Sequence, residues 1–361
     1  MTLPHKVLAL HDTMTMEAAY DGRPAKLFTL TNVSGMTATF MDIGATWLSC
    51  TVPVSGEGDK SCEAREVLLG CATMADHCKQ TAYFGATVGR YANRIAHGQF
   101  TIDGETTQVA INHAGNTLHG GPEGYDKRRW TIESPSDSKL VFSLLSQDGD
   151  QGFPGNLQVK VTFELTADNT VAISYQAEGD KPCPVNFTNH AYFNLAGEDA
   201  GDDCLLHELT INADHFVPTS DAGIPIGVLK PVDQTGFDFR EAKSIGQDLL
   251  SDPEQVLAKG YDHAFIMPPE LTDGISDIAK AVSPDQKVTM AVQTTKPAVQ
   301  LYTGNFLAGT KGTSGEYRIH QGFCLETEYL PDAPNHPEWP GDSILRPKQI
   351  YAHYTGYRFT F

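Results

Sequence analysis

The chain has 361 residues, with 45 acidic side chains against 26 Lys and Arg and a formal net charge of −19. Such a surface repels phosphate backbones and excludes nucleic acid as a partner, and the short basic run Lys127-Arg128-Arg129 is too small to reverse this. Its 40% hydrophobic and 20% charged content is that of an ordinary globular protein, and 33 Gly and 21 Pro without a low-complexity block imply many turns between short strands.

Taken in order, the first apolar run, residues 7–10, is too short for a signal-peptide core, and no stretch is long enough to span a bilayer. Seven scattered cysteines include no Cys-x-x-Cys pair, which points to free thiols in a reducing, cytoplasmic setting with no membrane partner. Cys62, Cys71, His77 and Cys78 match no common zinc spacing, so no metal site is expected there.

Residues 26–30, 37–41 and 47–52 read as strands, with turns at 32–35 and 42–44, a polar loop at 55–60 and a short helix at 74–80. The stretch 85–95 ends in Asn93 and Arg94 but lacks both the glycine spacing and the Lys-Ser/Thr ending of a nucleotide loop. An Asn-Arg pair on a tight loop can present forked donors to hydroxyls, although a surface ion pair is the plainer alternative. Residues 98–104 read as a strand turning at Asp103-Gly104. His119 precedes two glycines, where backbone can approach a ligand closely; an incidental turn histidine is the alternative.

The clearest β signal covers 138–178, where 157–165 and 171–175 alternate apolar and polar as a half-buried antiparallel sheet requires. The best helix candidate is 241–251, closed by Pro253. Strands resume at 288–293, 299–303 and 351–361. With no repeat and no linker, the expectation is a single domain over 1–361, an all-β fold built as a large antiparallel β-sandwich with few short helices.

Three stretches carry concentrated polar chemistry. Residues 185–197 set His190 among Asn186, Asn189 and Asn194, with Phe187, Tyr192 and Phe193 between them. An imidazole titrates near neutrality; flanking amides can orient it and donate to a polar ligand, while aromatics provide an apolar floor, a mixture suited to a sugar. A buried strand with one satisfied histidine fits the same residues. Tyr261-Asp262-His263 is the second stretch. In the third, Glu326 and Glu328 lie two apart inside an apolar run, so in a strand they face the same way. Burial would raise such a carboxylate and make it a base, whereas an exposed edge strand would leave both idle. Spacing alone does not say which of the two is the base.

Asn189-His190-Ala191-Tyr192-Phe193-Asn194-Leu195, Gly89-Arg90-Tyr91-Ala92-Asn93-Arg94, Leu118-His119-Gly120-Gly121, Tyr261-Asp262-His263, Gln300-Leu301-Tyr302-Thr303-Gly304-Asn305-Phe306 and Cys324-Leu325-Glu326-Thr327-Glu328 occur in this order. Together with Leu330-Pro331-Asp332-Ala333-Pro334-Asn335-His336-Pro337, they resemble the aldose 1-epimerase (galactose mutarotase) family, bacterial type, from about residue 20 to the end. The resemblance implies a β-sandwich with an open cleft and no cofactor. It makes His190 the general acid and Glu326 the general base, and gives Asn93, Arg94, His119, Tyr192, Asp262 and Gln300 the sugar hydroxyls. The chain departs at Arg346-Pro347-Lys348, where many relatives have Pro-Gly; only local turn geometry is affected.

The activity so implied is interconversion of the α and β anomers of an aldohexose, galactose or glucose, with a bell-shaped pH profile bounded by Glu326 and His190. A hexose-6-phosphate epimerase should carry more cations near the site than Arg90 and Arg94. A non-catalytic sugar-binding module has no need of an acid–base pair, and a glycoside hydrolase usually uses two carboxylates. The expected partner is a small aldose, and the protein a monomer or homodimer.

Overall fold

The computed structural model describes residues 5–55, 62–133 and 135–361, so the expected polar loop lies, beyond Ser55, outside the described residues. Nine antiparallel strands form the main sheet. Their spatial order is Thr131–Ile132, Lys139–Ser146, Leu157–Leu165, Thr170–Gly179, Tyr351–Thr360, Thr289–Thr294, Asp277–Val282, Glu208–Ile211 and Lys243–Ser244. Period-two alternation accounts for it. Along Leu157–Leu165 the side chains of Leu157, Val159, Val161, Phe163 and Leu165 are buried, while those between them reach toward solvent.

Two further sheets cover the apolar face. One has the strands Leu27–Thr31, Thr37–Met41, Thr46–Val54 and Glu63–Glu66, and its Phe40 packs on Phe163 with ring centroids 4.5 Å apart. The other runs Lys230–Pro231, His215–Phe216, Asp262–Ile266, Ala298–Tyr302 and Cys324–Glu328. It is tied to the main sheet by the Tyr357 hydroxyl, which donates to the Leu325 carbonyl at 2.8 Å, and by Thr327 and Thr355, whose hydroxyls lie 2.5 Å apart. The core between these layers is therefore that of a β-sandwich, and each fully buried Phe or Leu contributes about 1.5–3 kcal/mol.

The strands expected at 26–52, 98–104, 138–178, 288–303 and 351–361 are present within a residue or a few. The helix expected at 241–251 is not. Lys243–Ser244 pairs with Glu208–Leu209 at the sheet edge, turns follow, and the helix is Pro253–Ala258. Pro253 opens it rather than closing what precedes, because the first helical residue needs no N–H partner and proline already has the required φ. The short helix at 74–80 is Met74–His77, capped by the Thr73 hydroxyl. A helix at His5–Met16 had no counterpart among the expected elements.

Candidate active site

The Cys324–Glu328 strand is buried along its whole length. Leu325 and Thr327 meet the main sheet, so by the strand period Cys324, Glu326 and Glu328 point the other way. Gln300 is the register partner of Glu326, and Asp262 pairs with Tyr302 one strand further on. Three neighbouring strands thus bring Asp262, Gln300 and Glu326 to one face.

Opposite them stands His190, just past the short strand Thr188–Asn189. Its backbone N–H donates to the Ala86 carbonyl, and its Nε2 lies 3.6 Å from Glu326 Oε2. Tyr192 stacks on the imidazole at 5.1 Å, and Cys324 Sγ lies 3.6 Å from Nδ1. The ring is held on every side the structure describes.

Both members of this pair are almost wholly withdrawn from water, His190 at 5% and Glu326 at 3% exposure. Burial lowers the His190 pKa to about 4. It raises Glu326 well above the usual carboxylate range, helped by the charges of Glu328 and Asp262 and opposed by Arg94. Both shifts have burial as their first cause, and both favour the neutral forms, imidazole and carboxylic acid, over the carboxylate and imidazolium that the acid–base roles require.

Asn93 and His119 approach from left-handed turns, with φ of 62° and 51°. At Gly120 a Cβ would lie 2.0 Å from the Gly89 carbonyl oxygen, so only glycine lets His119 come this close. The Asn93 N–H donates to His119 Nδ1 at 3.2 Å, which places the proton of the neutral ring on Nε2. Asn93 Nδ2 donates to Glu328 Oε1 at 2.8 Å, and Asn93 Oδ1 accepts from the Arg94 backbone N–H at 2.9 Å. Gln300 Nε2 donates to Asp262 Oδ1 at 2.7 Å, and Arg94 reaches within 3.9 Å of Asp262. Toward the rim exposure grows, with the Arg94 side chain at 12% and that of Asp262 at 21%. Gln300 Oε1, Arg94 Nε and Glu326 Oε2 are buried without a protein partner, as groups awaiting a polar ligand would be.

His119, His190 and Glu326 place ligand atoms within 4.8 Å of one another, the one such cluster among the described residues. The His119 tautomer makes Nε2 a donor, which suits a hydroxyl better than a cation.

All eight residues singled out from the sequence fall in or against this recess, though in different ways. Tyr192 is 2% exposed and backs the imidazole rather than facing open space. The amides of Asn186, Asn189 and Asn194, expected to orient the imidazole or meet a ligand, are spent on main-chain carbonyls of neighbouring segments. Arg90 is buried against the carbonyls of Pro154, Gly155 and Ser146 and is not a cleft cation. Tyr83 went unnoticed in the sequence, yet its ring lies 4.6 Å from His119 and 5.8 Å from His190. Lys296, buried beneath Tyr329 and Tyr351, carried no local signal either. Two surface hollows of about 320 and 650 Å³, beside Arg318 and beside Arg240, lie apart from these groups.

A buried proton-sharing pair, walled by amide, imidazole and guanidinium donors and set on a β-sandwich, is the equipment of an acid–base enzyme for polyhydroxylated substrates. The sequence profile of one such family, aldose 1-epimerase, matches residues 26–358. The aldose 1-epimerase of Escherichia coli K12 is 50% identical over 96% of this chain and 98% of its own. The galactose mutarotase of Homo sapiens is 40% identical over 86% and 89%. Among solved structures, an aldose epimerase homologue from C. elegans superposes with a TM-score of 0.83 at 29% identity, covering 93% of this chain and 99% of that one. Galactose 1-epimerase from Lactobacillus acidophilus gives 0.81 at 28%, covering 94% and 96%. The chain belongs to the aldose 1-epimerase family, and is an isomerase.

Proposed function

We propose that the protein interconverts the α and β anomers of free D-galactose and D-glucose, acting as a single unit over its whole length. The observation that carries this is the buried His190–Glu326 pair, an imidazole Nε2 and a carboxyl Oε2 3.6 Å apart. Ring opening needs just that inventory. As the sugar enters, its C1 hydroxyl donates toward Glu326 and its ring oxygen accepts from His190, which favours carboxylate with imidazolium over the neutral pair.

Glu326 takes the C1 hydroxyl proton, the C1–O5 bond breaks, and His190 delivers its proton to O5. The open aldehyde turns about C1–C2. Closure runs the same steps backwards on the other face: O5 attacks C1, His190 recovers the O5 proton, and Glu326 returns its proton to the carbonyl oxygen. Each proton transfer contributes about 10²–10⁴ in rate. Asp262, Gln300, Asn93, Arg94 and His119 Nε2 hold the hydroxyls of C2 to C6 while C1 swings free.

Arg90 being occupied by main-chain carbonyls leaves Arg94 as the arginine turned toward the recess, so a neutral hexose is favoured over a hexose 6-phosphate. A cytoplasmic monomer or homodimer fits the seven free cysteines, and no helix among the described residues is long and apolar enough to cross a membrane. Polarimetry on fresh α-D-galactose, α-D-glucose and glucose 6-phosphate tests the assignment. Rapid relaxation of the two neutral sugars supports it, and catalysis confined to the phosphorylated sugar overturns it.

A further inference from the structure

Glu328 has no part in the chemistry just described, yet it is fully buried, 0% exposed, one strand repeat from Glu326. A buried carboxylate is costly unless something compensates it. Two groups act against that cost: Asn93 Nδ2 donates to its Oε1 at 2.8 Å, and the charge of Lys296 favours the carboxylate, yet burial prevails and holds the Glu328 carboxyl up at about 8. Lys296 is itself 0% exposed and sits in a cage that suits an ammonium: its Nζ lies 4.5 Å from the ring centres of both Tyr329 and Tyr351 and bonds to Asn186 Oδ1 and the Tyr351 hydroxyl. Oε2 of Glu326 and Oε2 of Glu328 are both buried without a hydrogen-bond partner, so the bond from Asn93 is the one that fixes the Glu328 carboxyl in place.

Asn93 is the hub of the opposite wall. Its N–H sets the His119 tautomer, its carbonyl accepts from the His119 N–H at 3.0 Å, and its Oδ1 accepts from Arg94. The side-chain amide is held at both ends, Oδ1 by the Arg94 backbone N–H and Nδ2 by Glu328 Oε1. We propose that Glu328 is a positioning residue for the epimerisation: by accepting from Asn93 Nδ2 it anchors Asn93, and thereby His119 and Arg94, in the wall that faces the His190–Glu326 pair.

This rests on the acid–base function proposed above. The other charged and titratable groups facing the pair are Asp262 and Tyr302 from the adjoining strands, Arg94, His119 and Tyr83 from the opposite wall, and Cys324 and Tyr192 against the imidazole. Tyr175 and Tyr357 face it from the main sheet, and burial keeps both phenols protonated. Glu328→Gln changes the shape little and keeps an acceptor for Asn93, whereas Glu328→Asp withdraws it.

The experiment is the pH dependence of kcat and KM for galactose mutarotation by wild type, Glu328→Gln and Glu328→Asp, each checked for folding by circular dichroism. Glu328→Gln keeps an acceptor for Asn93, and KM should stay within about twofold of wild type. Glu328→Asp withdraws the acceptor from Asn93; KM should rise about fivefold or more, with the shape of the pH profile unchanged. A folded Glu328→Gln whose KM rises as far as that of Glu328→Asp overturns the anchoring role. Glu328→Asp with wild-type KM overturns it as well, even if the Gln variant does not fold. Absence of mutarotation by wild type would overturn the proposed function itself, an outcome separate from both.

Discussion

His190 Nε2 and Glu326 Oε2 stand 3.6 Å apart, beyond a hydrogen bond yet within reach of one bridging hydroxyl. Burial pushes the histidine down to about 4 and the glutamate up. The signs follow. On the acid side the imidazole gains a further proton and the site loses its base; on the alkaline side the pair loses its last proton and the site loses its acid. The kcat/KM profile should be bell-shaped, with its low limb near the lowered histidine and its high limb set by the raised Glu326. A profile flat from pH 3 to 10 would show that this pair does not carry the proton transfers.

Asp262 accepts from Gln300 and faces Arg94. In the proposed mechanism its carboxylate meets the sugar's remote hydroxyls rather than C1. Asp262→Asn should therefore lower kcat/KM by about 10- to 100-fold, the worth of a charge-assisted hydrogen bond. Most of the loss should appear in KM. Steady-state kinetics on galactose checks it, and a loss confined to kcat would place Asp262 in the proton transfers instead.

At Arg346-Pro347-Lys348 the chain makes a tight turn in which the Gln349 N–H donates to the Arg346 carbonyl and Lys348 has φ of 72°. That geometry follows proline with a residue suited to glycine. The departure from Pro-Gly noted in the sequence is thus accommodated by strain at a lysine. Lys348→Gly should stabilise the fold by about 0.5–1 kcal/mol without altering activity, as read by urea unfolding. A destabilised variant would mean that the lysine side chain holds the turn.

Phe163 lies where the main sheet meets the strand Thr37–Met41, its ring 4.5 Å from Phe40 and 5.9 Å from Phe142. Phe163→Ala should cost about 3–5 kcal/mol by leaving a cavity between the layers. A loss below about 1 kcal/mol in denaturant titration would mean that the sheets close over the gap.

What could be read in the sequence follows from how local each signal is. Alternation along 157–165 specifies a half-buried strand within nine residues, and that strand is present. The helix expected at 241–251 is absent because Lys243–Ser244 pairs with Glu208–Leu209, a partner distant in sequence, while Pro253 reads equally as a stop or a start. The motif residues were legible because each stretch concentrates polar groups where the pattern calls for apolar ones. Their division of labour was not. The amides around His190 turned to main-chain carbonyls, Tyr192 turned to the imidazole, and Tyr83 and Lys296 meet the site only through the assembled sheets. The direction of the two pKa shifts was equally hidden, since it depends on burial by segments from all over the chain.

The most direct test is the relaxation of optical rotation of freshly dissolved α-D-galactose with wild type and with Glu326→Gln. Glu326→Gln preserves shape and removes the group that exchanges a proton with the C1 hydroxyl. Wild type should bring the rotation to equilibrium rapidly, and the variant should be slower by about 10²–10⁴. Wild type no faster than buffer, or a variant that keeps its rate, would contradict proton transfer through the His190–Glu326 pair.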